Sequence, residues 1–286
     1  MPFDRDRPRP KTHIDVGPIT PSWPPKLAHY EYVRTLSKAD CAWEFLRRNR
    51  HYHADYRACL AISTVTQAVE NGVLIIRQNR NCPAAEGWGC LTFADPALPA
   101  PCPQLFWHHE TGAPSLACIA SESVDVVLTL TGFAERGVAL SLLTIGDKQY
   151  LRVSRGQATL TLTITGASIF SNVRLSFQVP GCAHIGPGIE ALRLFQEFLI
   201  AAPGEMASER PWTARWLALR DALIALDGAQ AGATYRDIAG ILVGDARAAV
   251  DWRANTALKD RVRRALARGK EMRDGGYRAL LSGEWR

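Results

Sequence analysis

The sequence lacks any apolar run approaching the roughly 20 residues that a membrane-spanning helix needs. No apolar core follows the charges of Met1-Pro2-Phe3-Asp4-Arg5-Asp6-Arg7, so this start does not read as a secretory signal. A cytoplasmic location with no membrane partner is expected. No Walker loop, HExxH or GxSxG is present, which removes the common signatures of nucleotide, zinc-protease and hydrolase chemistry; the expectation is a chain that is not an enzyme. No two of the cysteines (Cys41, Cys59, Cys82, Cys90, Cys102, Cys118 and Cys182) stand in CxxC spacing. Scattered cysteines in a long chain without a signal are usually buried thiols, not a disulfide frame. Cys82, Cys90 and Cys102 precede His108-His109-Glu110, but structural zinc sites take tighter ligand pairs, so neither a metal nor another cofactor is expected. Internal repeats are absent, and adjacent histidines in such a Trp-rich loop are usually structural or solvent-facing.

What is present describes an ordinary globular protein. The 286 residues are 47% hydrophobic and 22% charged, enough for more than one core. A formal charge of +6 is a modest bias toward polyanions, but its placement is informative. From Trp252 onward there are ten Lys and Arg against four acids, so the whole excess sits in one segment. A nucleic-acid contact surface requires that kind of concentration.

Residues 1–28 carry seven prolines and should form an extended, disordered arm. Ser37 with Asp40 predicts a capped helix over Ala39–Arg48, whose final basic residues suit a helix C-terminus as well as any anion. A second helix is expected over Asp55–Glu70, ending at Asn71-Gly72, with a short strand possible at Val73–Ile76. The periodicity then changes. Val124–Thr131, Val138–Ile145, Gln149–Val153, Ala158–Thr165 and Val173–Val179 are short, β-branched-rich and separated by turn residues; Thr159–Ile164 alternates as a half-buried strand does. Beyond Pro187 the helical period returns, first in Ile189–Leu199 and then in Trp212–Leu226. The fold class is therefore α+β. Residues 29–80 form a small helical N-terminal domain, 86–180 a central antiparallel β-rich module, and 187–286 a helical, helix-turn-helix-like domain.

Two features of the last region point to DNA. Thr234 and Asp237 predict a capped helix through Leu242 that stops at Gly244. A longer helix, from Asn255 or Thr256 to about Arg273, places Leu258, Val262, Ala265, Leu266, Gly269 and Met272 on one stripe. Lys259, Arg263 and Lys270 flank one edge of that stripe, and Arg261, Arg264 and Arg268 the other. With Arg253 these are the candidate DNA-binding residues, since a helix fits the major groove and such side chains reach phosphates and guanine edges. About ten residues, Gly244 to Arg253, separate the two helices, more than the three or four of an ordinary helix-turn-helix.

Asp251-Trp252-Arg253, Leu258-Lys259-Asp260-Arg261-Val262-Arg263-Arg264 and Asp274-Gly275-Gly276-Tyr277-Arg278 resemble the domain-of-unknown-function 2285 family, atypical helix-turn-helix proteins among proteobacterial activators. Gly166–Phe177 resembles that family's β portion. Tyr30-Glu31-Tyr32 and Ala42–Asn49 resemble the small N-terminal domain often placed before it. The resemblance implies a transcriptional activator of excision and transfer genes on integrative conjugative elements, or of secretion genes. It also implies double-stranded DNA as a partner, a homo-oligomeric state, contact with RNA polymerase and control by a small antiactivator protein. The alternative is an antiactivator-type interaction module that binds a regulator instead of DNA.

Overall fold

The computed structural model describes residues 23–62, 65–70, 72–123, 130, 133, 136–179, 181, 185–200, 211–254 and 256–285. The proline-rich arm and the expected strand at Val124–Thr131 lie almost wholly outside them. After a 3-10 helix at Leu27–Thr35, Ser37 caps helix α1 (Lys38–Leu46), its hydroxyl accepting from the Asp40 N–H. Helix α2 (Arg50–Ile62) ends earlier than the sequence suggested. The residues beyond it form strands β1 (Thr66–Glu70) and β2 (Val73–Gln78), paired antiparallel. Gly72 at φ 78 takes the left-handed turn between them. Asn-Gly between β-branched runs is a hairpin signal before it is a helix stop, which is why the helical reading of residues 66–70 fails.

A short helix α3 (Pro83–Glu86) leads through an irregular stretch to β3 (Ser115–Glu122), then β4 (Ala139–Ile145), β5 (Lys148–Arg155), β6 (Ala158–Gly166) and β7 (Val173–Gln178). The seven strands make one sheet in the order β1-β2-β4-β5-β6-β3-β7. Four of its neighbouring pairs are antiparallel, while β2–β4 and β3–β6 run parallel. Helix α4 (Ile185–Ile200) covers one face, burying Phe195 and Phe198 against Leu160, Leu162 and Ile164. The other face is buried too. Thr159 and Thr161 of the alternating strand are sequestered with Arg152, which pairs with Asp40 of α1 at 3.0 Å. Alternation of Thr with Leu here separates two buried faces, one apolar and one polar.

The remaining helices are α5 (Ala214–Gln230), α6 (Tyr235–Val243), α7 (Asp245–Ala254), α8 (Thr256–Glu271) and α9 (Arg278–Ser282), with a π-helical turn at Met272–Gly276. They share one apolar core with the N-terminal helices. Trp43, Phe45, Leu46 and Tyr52 meet Leu223, Leu226, Val262 and Leu281 there, across most of the chain's length. α5 runs past the expected stop at Asp227-Gly228 because both residues are held from outside. Trp23 and Ile238 crowd the Cα of Gly228, and Arg48 and Tyr30 bind the Asp227 carboxylate.

That last contact belongs to a buried ionic network. Arg48 meets Asp227 through Nε at 2.6 Å and Nη2 at 3.0 Å, and also donates to Glu44. Glu44 further accepts from Arg47 (3.0 Å), Tyr32 (2.9 Å) and the Ala100 N–H (2.7 Å). Burial alone would raise the Glu44 pKa, but Arg48 and Arg47 outweigh it and hold the carboxyl at about 2, against an ordinary 4.5. A depressed carboxylate stabilises the fold fully above its unfolded pKa and loses that contribution as pH falls through the folded one. The loss therefore runs from about pH 4.5 down to 2. Glu44→Gln is expected to cost about 3–5 kcal/mol at neutral pH, by stranding buried guanidinium charge, and to flatten the acid limb of stability in that window. Urea melts of both proteins across pH 2–7 check it; an unchanged acid limb in the variant would count against the network.

Candidate nucleic-acid interface

The capping box read from the sequence opens α6: the Thr234 hydroxyl accepts from the Asp237 N–H at 3.2 Å, and Asp237 accepts from the Thr234 N–H at 2.9 Å. The Thr234 hydroxyl, donating to the Asp237 carboxylate at 2.7 Å, and then the Thr234 N–H lower the Asp237 pKa. α6 buries Ile238, Ala239 and Leu242, then stops at Gly244, whose φ of +88 favours glycine. The ten residues that looked like an overlong connector are themselves mostly helix, α7. Gly244 alone joins α6 to α7. A Cβ on Gly240 would meet the Asp245 carboxylate, an exposed side chain free to swing aside.

α7 has an unusual surface. Among its described residues only Ala248 is buried; Ala246, Arg247, Ala249, Val250 and Arg253 are exposed, Val250 by 71%. The sequence signal for it was weak, since small residues on a short helix carry little amphipathic pattern. Arg247 pairs with Asp251 at 3.2 Å, one turn along.

α8 follows its expected stripe. Leu258, Val262, Ala265, Leu266, Gly269 and, just beyond, Met272 are buried, and the helix lies across α5. Gly269 sits at the crossing, where a Cβ would come within 2.6 Å of the Ala222 carbonyl oxygen. The cations divide by what they touch. Arg261 donates to Asp221 of α5 at 2.9 and 2.6 Å and ties the two helices together. Arg263 meets Asp260 at 2.7 Å, and the Lys259 ammonium sits 5.6 Å over the Trp252 ring. Arg253, Arg264, Arg268 and Lys270 make no ion pair among the described residues; Arg268 is half-buried and the other three exposed.

Sequence reasoning did not bring the N-terminal helices to this surface. Lys270 and Arg273 line a cleft of about 720 Å³ together with Arg50, His51 and Trp88. The Asn49 side chain caps α2 there, accepting from the His51 N–H at 2.8 Å while donating to the Arg273 carbonyl at 3.0 Å. Arg47 and Arg48, the other cations of that basic run, are consumed by the buried network. At the far side, the Tyr277 hydroxyl donates to the Trp88 carbonyl at 2.8 Å and Arg278 to that of Gly87 at 2.6 Å, so part of the C-terminal charge also serves the fold. Among the described residues, the group with ligand atoms close enough for a metal is His108-His109-Glu110, without Cys82, Cys90 or Cys102.

Gly269→Ala tests the α5–α8 crossing that holds this surface in place. Alanine gains about 1 kcal/mol of helix propensity. Overpacking against a carbonyl costs about 1–3 kcal/mol and forces the helices apart, so a net loss of stability is expected in a urea melt. Val262→Asp, at a fully buried site, should cost several kcal/mol more. If the alanine variant proves more stable than the parent, the crossing is looser than described.

Two comparisons bear on this surface. Residues 179–282, from α4 to α9, match the family model of a T6SS transcription factor DNA-binding domain. Residues 26–80, holding the first helices and the β1–β2 hairpin, match a proteobacterial transcriptional regulator-like domain. No curated protein matches the chain. The exposed helical surface lies within the first match, and together the two domains mark the chain as a DNA-binding transcriptional regulator.

Proposed function

We propose that this regulator is a homo-oligomeric transcriptional activator in which α6 and α7 form the helix-turn-helix unit and α7 enters the major groove. The observation that carries the reading is the exposure of α7. Ala248 and the half-buried Trp252 hold it on the helical core between its two flanking helices, and it presents Ala246, Ala249, Val250 and Arg253 outward. Small apolar side chains allow close approach to base edges and suit thymine methyls; Arg253, with Arg247, can donate to guanine. α8 stands behind α7 and gives Arg264 and Lys270 to phosphates, while Arg261 positions it on α5. The work of the protein is binding, with no catalytic step.

The finer assignments rest on resemblance and surface. The motifs around Asp251-Trp252-Arg253 and Asp274–Arg278 resemble the domain-of-unknown-function 2285 activators. They support mobile-element excision and transfer genes as targets, and the T6SS description of the matched model supports secretion genes. RNA polymerase and a small antiactivator follow as partners. Exposed Ile185, Ile189 and Ile200 on α4 give an oligomer apolar surface to bury. Pairing two reading units on one DNA supplies affinity that a single unit lacks. Light scattering should report a species larger than the 31.5 kDa chain, and a monomer both free and on DNA would sink the oligomer.

DNA titration at several salt concentrations, paired with thermal melting, tests the reading helix. Arg264→Ala should melt normally and lower the salt slope by about one, uniformly across sequences. Arg253→Ala should lose about 1–3 kcal/mol of discrimination between specific and random DNA. Val250→Glu, at an exposed position, should also melt normally yet abolish specific binding. Full binding by both α7 variants alongside a loss in Arg264→Ala would transfer the reading role to α8.

A further inference from the structure

Cys59 and Cys82 stand apart from the other thiols. Cys41, Cys90, Cys102 and Cys118 are buried, as scattered cysteines usually are. Burial raises the Cys90 thiol well above its ordinary range and those of Cys102 and Cys118 to about 12, which leaves them protonated and inert at neutral pH. Cys182 lies outside the described residues. Cys59, on the outer part of α2, and Cys82, at the start of α3, are only half-buried, and their sulfurs lie 3.5 Å apart. Both line a cleft of about 820 Å³ whose wall also carries Asp55, Gln78, Asn79, Arg80 and Asn81. A small polar oxidant can reach both sulfurs there.

We propose that Cys59 and Cys82 form an oxidisable dithiol, a modification site that a peroxide converts to an intramolecular disulfide. One thiolate attacks a peroxide oxygen. An S–O bond forms, the O–O bond breaks, and hydroxide leaves to be protonated to water. The second sulfur then attacks the resulting sulfenic sulfur; the S–S bond forms, the S–O bond breaks, and a second water leaves with the remaining proton. Peroxide is reduced by two electrons and the two thiols are oxidised by one each. The sulfurs must close from 3.5 Å to about 2.05 Å, a movement within reach of side-chain rotation at a half-exposed helix position and a loop. Twenty-three positions separate the two residues, with the β1–β2 hairpin in between, so the bond staples α2 to the segment after β2.

The test uses full-length reduced protein in a Cys182→Ser background, which leaves Cys59, Cys82 and the four buried thiols. After mild hydrogen peroxide, alkylation and digestion, one peptide pair joining Cys59 to Cys82 is expected. It should come with a loss of about 2 Da, restored by dithiothreitol. Cys59→Ser and Cys82→Ser should each abolish it. Should either variant fold poorly, the parent alone still decides: a maleimide should label these two thiols before the four buried ones. Separate oxidation of the two cysteines to sulfinic acids without a crosslink would overturn the proposal. So would a crosslink formed between chains, or one that forms faster in urea than in the native protein.

Discussion

One guanidinium, that of Arg48, binds two carboxylates that lie far apart in the chain. Glu44 lies one turn before it on α1, and Asp227 is 179 positions away on α5. An apolar trio of similar volume would give as much stability, since desolvating three charges consumes most of their attraction. What charge adds is intolerance of misalignment. Any register of α1 on α5 other than this one strands a buried ion, at several kcal/mol, whereas an apolar surface could slide at little cost. The Tyr30 and Tyr32 hydroxyls and the Ala100 N–H occupy acceptor positions that would otherwise be lost. The orientation of the regulator-like domain on the DNA-binding domain thus follows from a few polar contacts inside a large shared apolar core.

α5 passes that orientation on. It is enclosed along most of its length, and each neighbour meets it through a small residue or an ion pair. Gly228 admits Trp23 and Ile238, Gly269 of α8 abuts Ala222, and Asp221 takes Arg261. The same demand explains why the C-terminal charge count overstates the surface facing a polyanion. Arg261 is spent on α5, Arg273 on Asp274 and Arg278 on the Gly87 carbonyl. Fixing helices that must resist a strongly charged ligand draws on the residue type that attracts it.

Much of this was legible in the sequence where a side chain acts on its own neighbours. The caps at Ser37 and Thr234 and the buried stripe of α8 appear where periodicity and local hydrogen bonding placed them. Strands β4 to β7 were legible for the same reason, while β3 was missed because Ala117, Cys118 and Ala120 carry little strand preference. Long-range partners were not legible. No local pattern marks Arg48 as buried and Arg50 as exposed, and none shows that Thr159 and Thr161 face a second buried layer. α7 failed differently. Its residues form a helix because Gly244 redirects the chain against α6 and α8, and the exposure that makes it informative as a surface erased its amphipathic signature. A helix that buries little of its surface carries no hydrophobic period for a sequence pattern to register.

The sheet makes the same point at larger scale. The matched DNA-binding region begins at residue 179, yet its first helix, α4, packs on the sheet, whereas α5 to α9 belong to the helical core. One sequence unit is thus divided between two hydrophobic clusters. The opposite face of the sheet reaches α1 through the Arg152–Asp40 pair, while Ser37 donates to that same carboxylate group. The sheet is therefore gripped from both sides, by an apolar helix continuous in sequence with the DNA-binding helices and by a buried ion pair to the N-terminal domain.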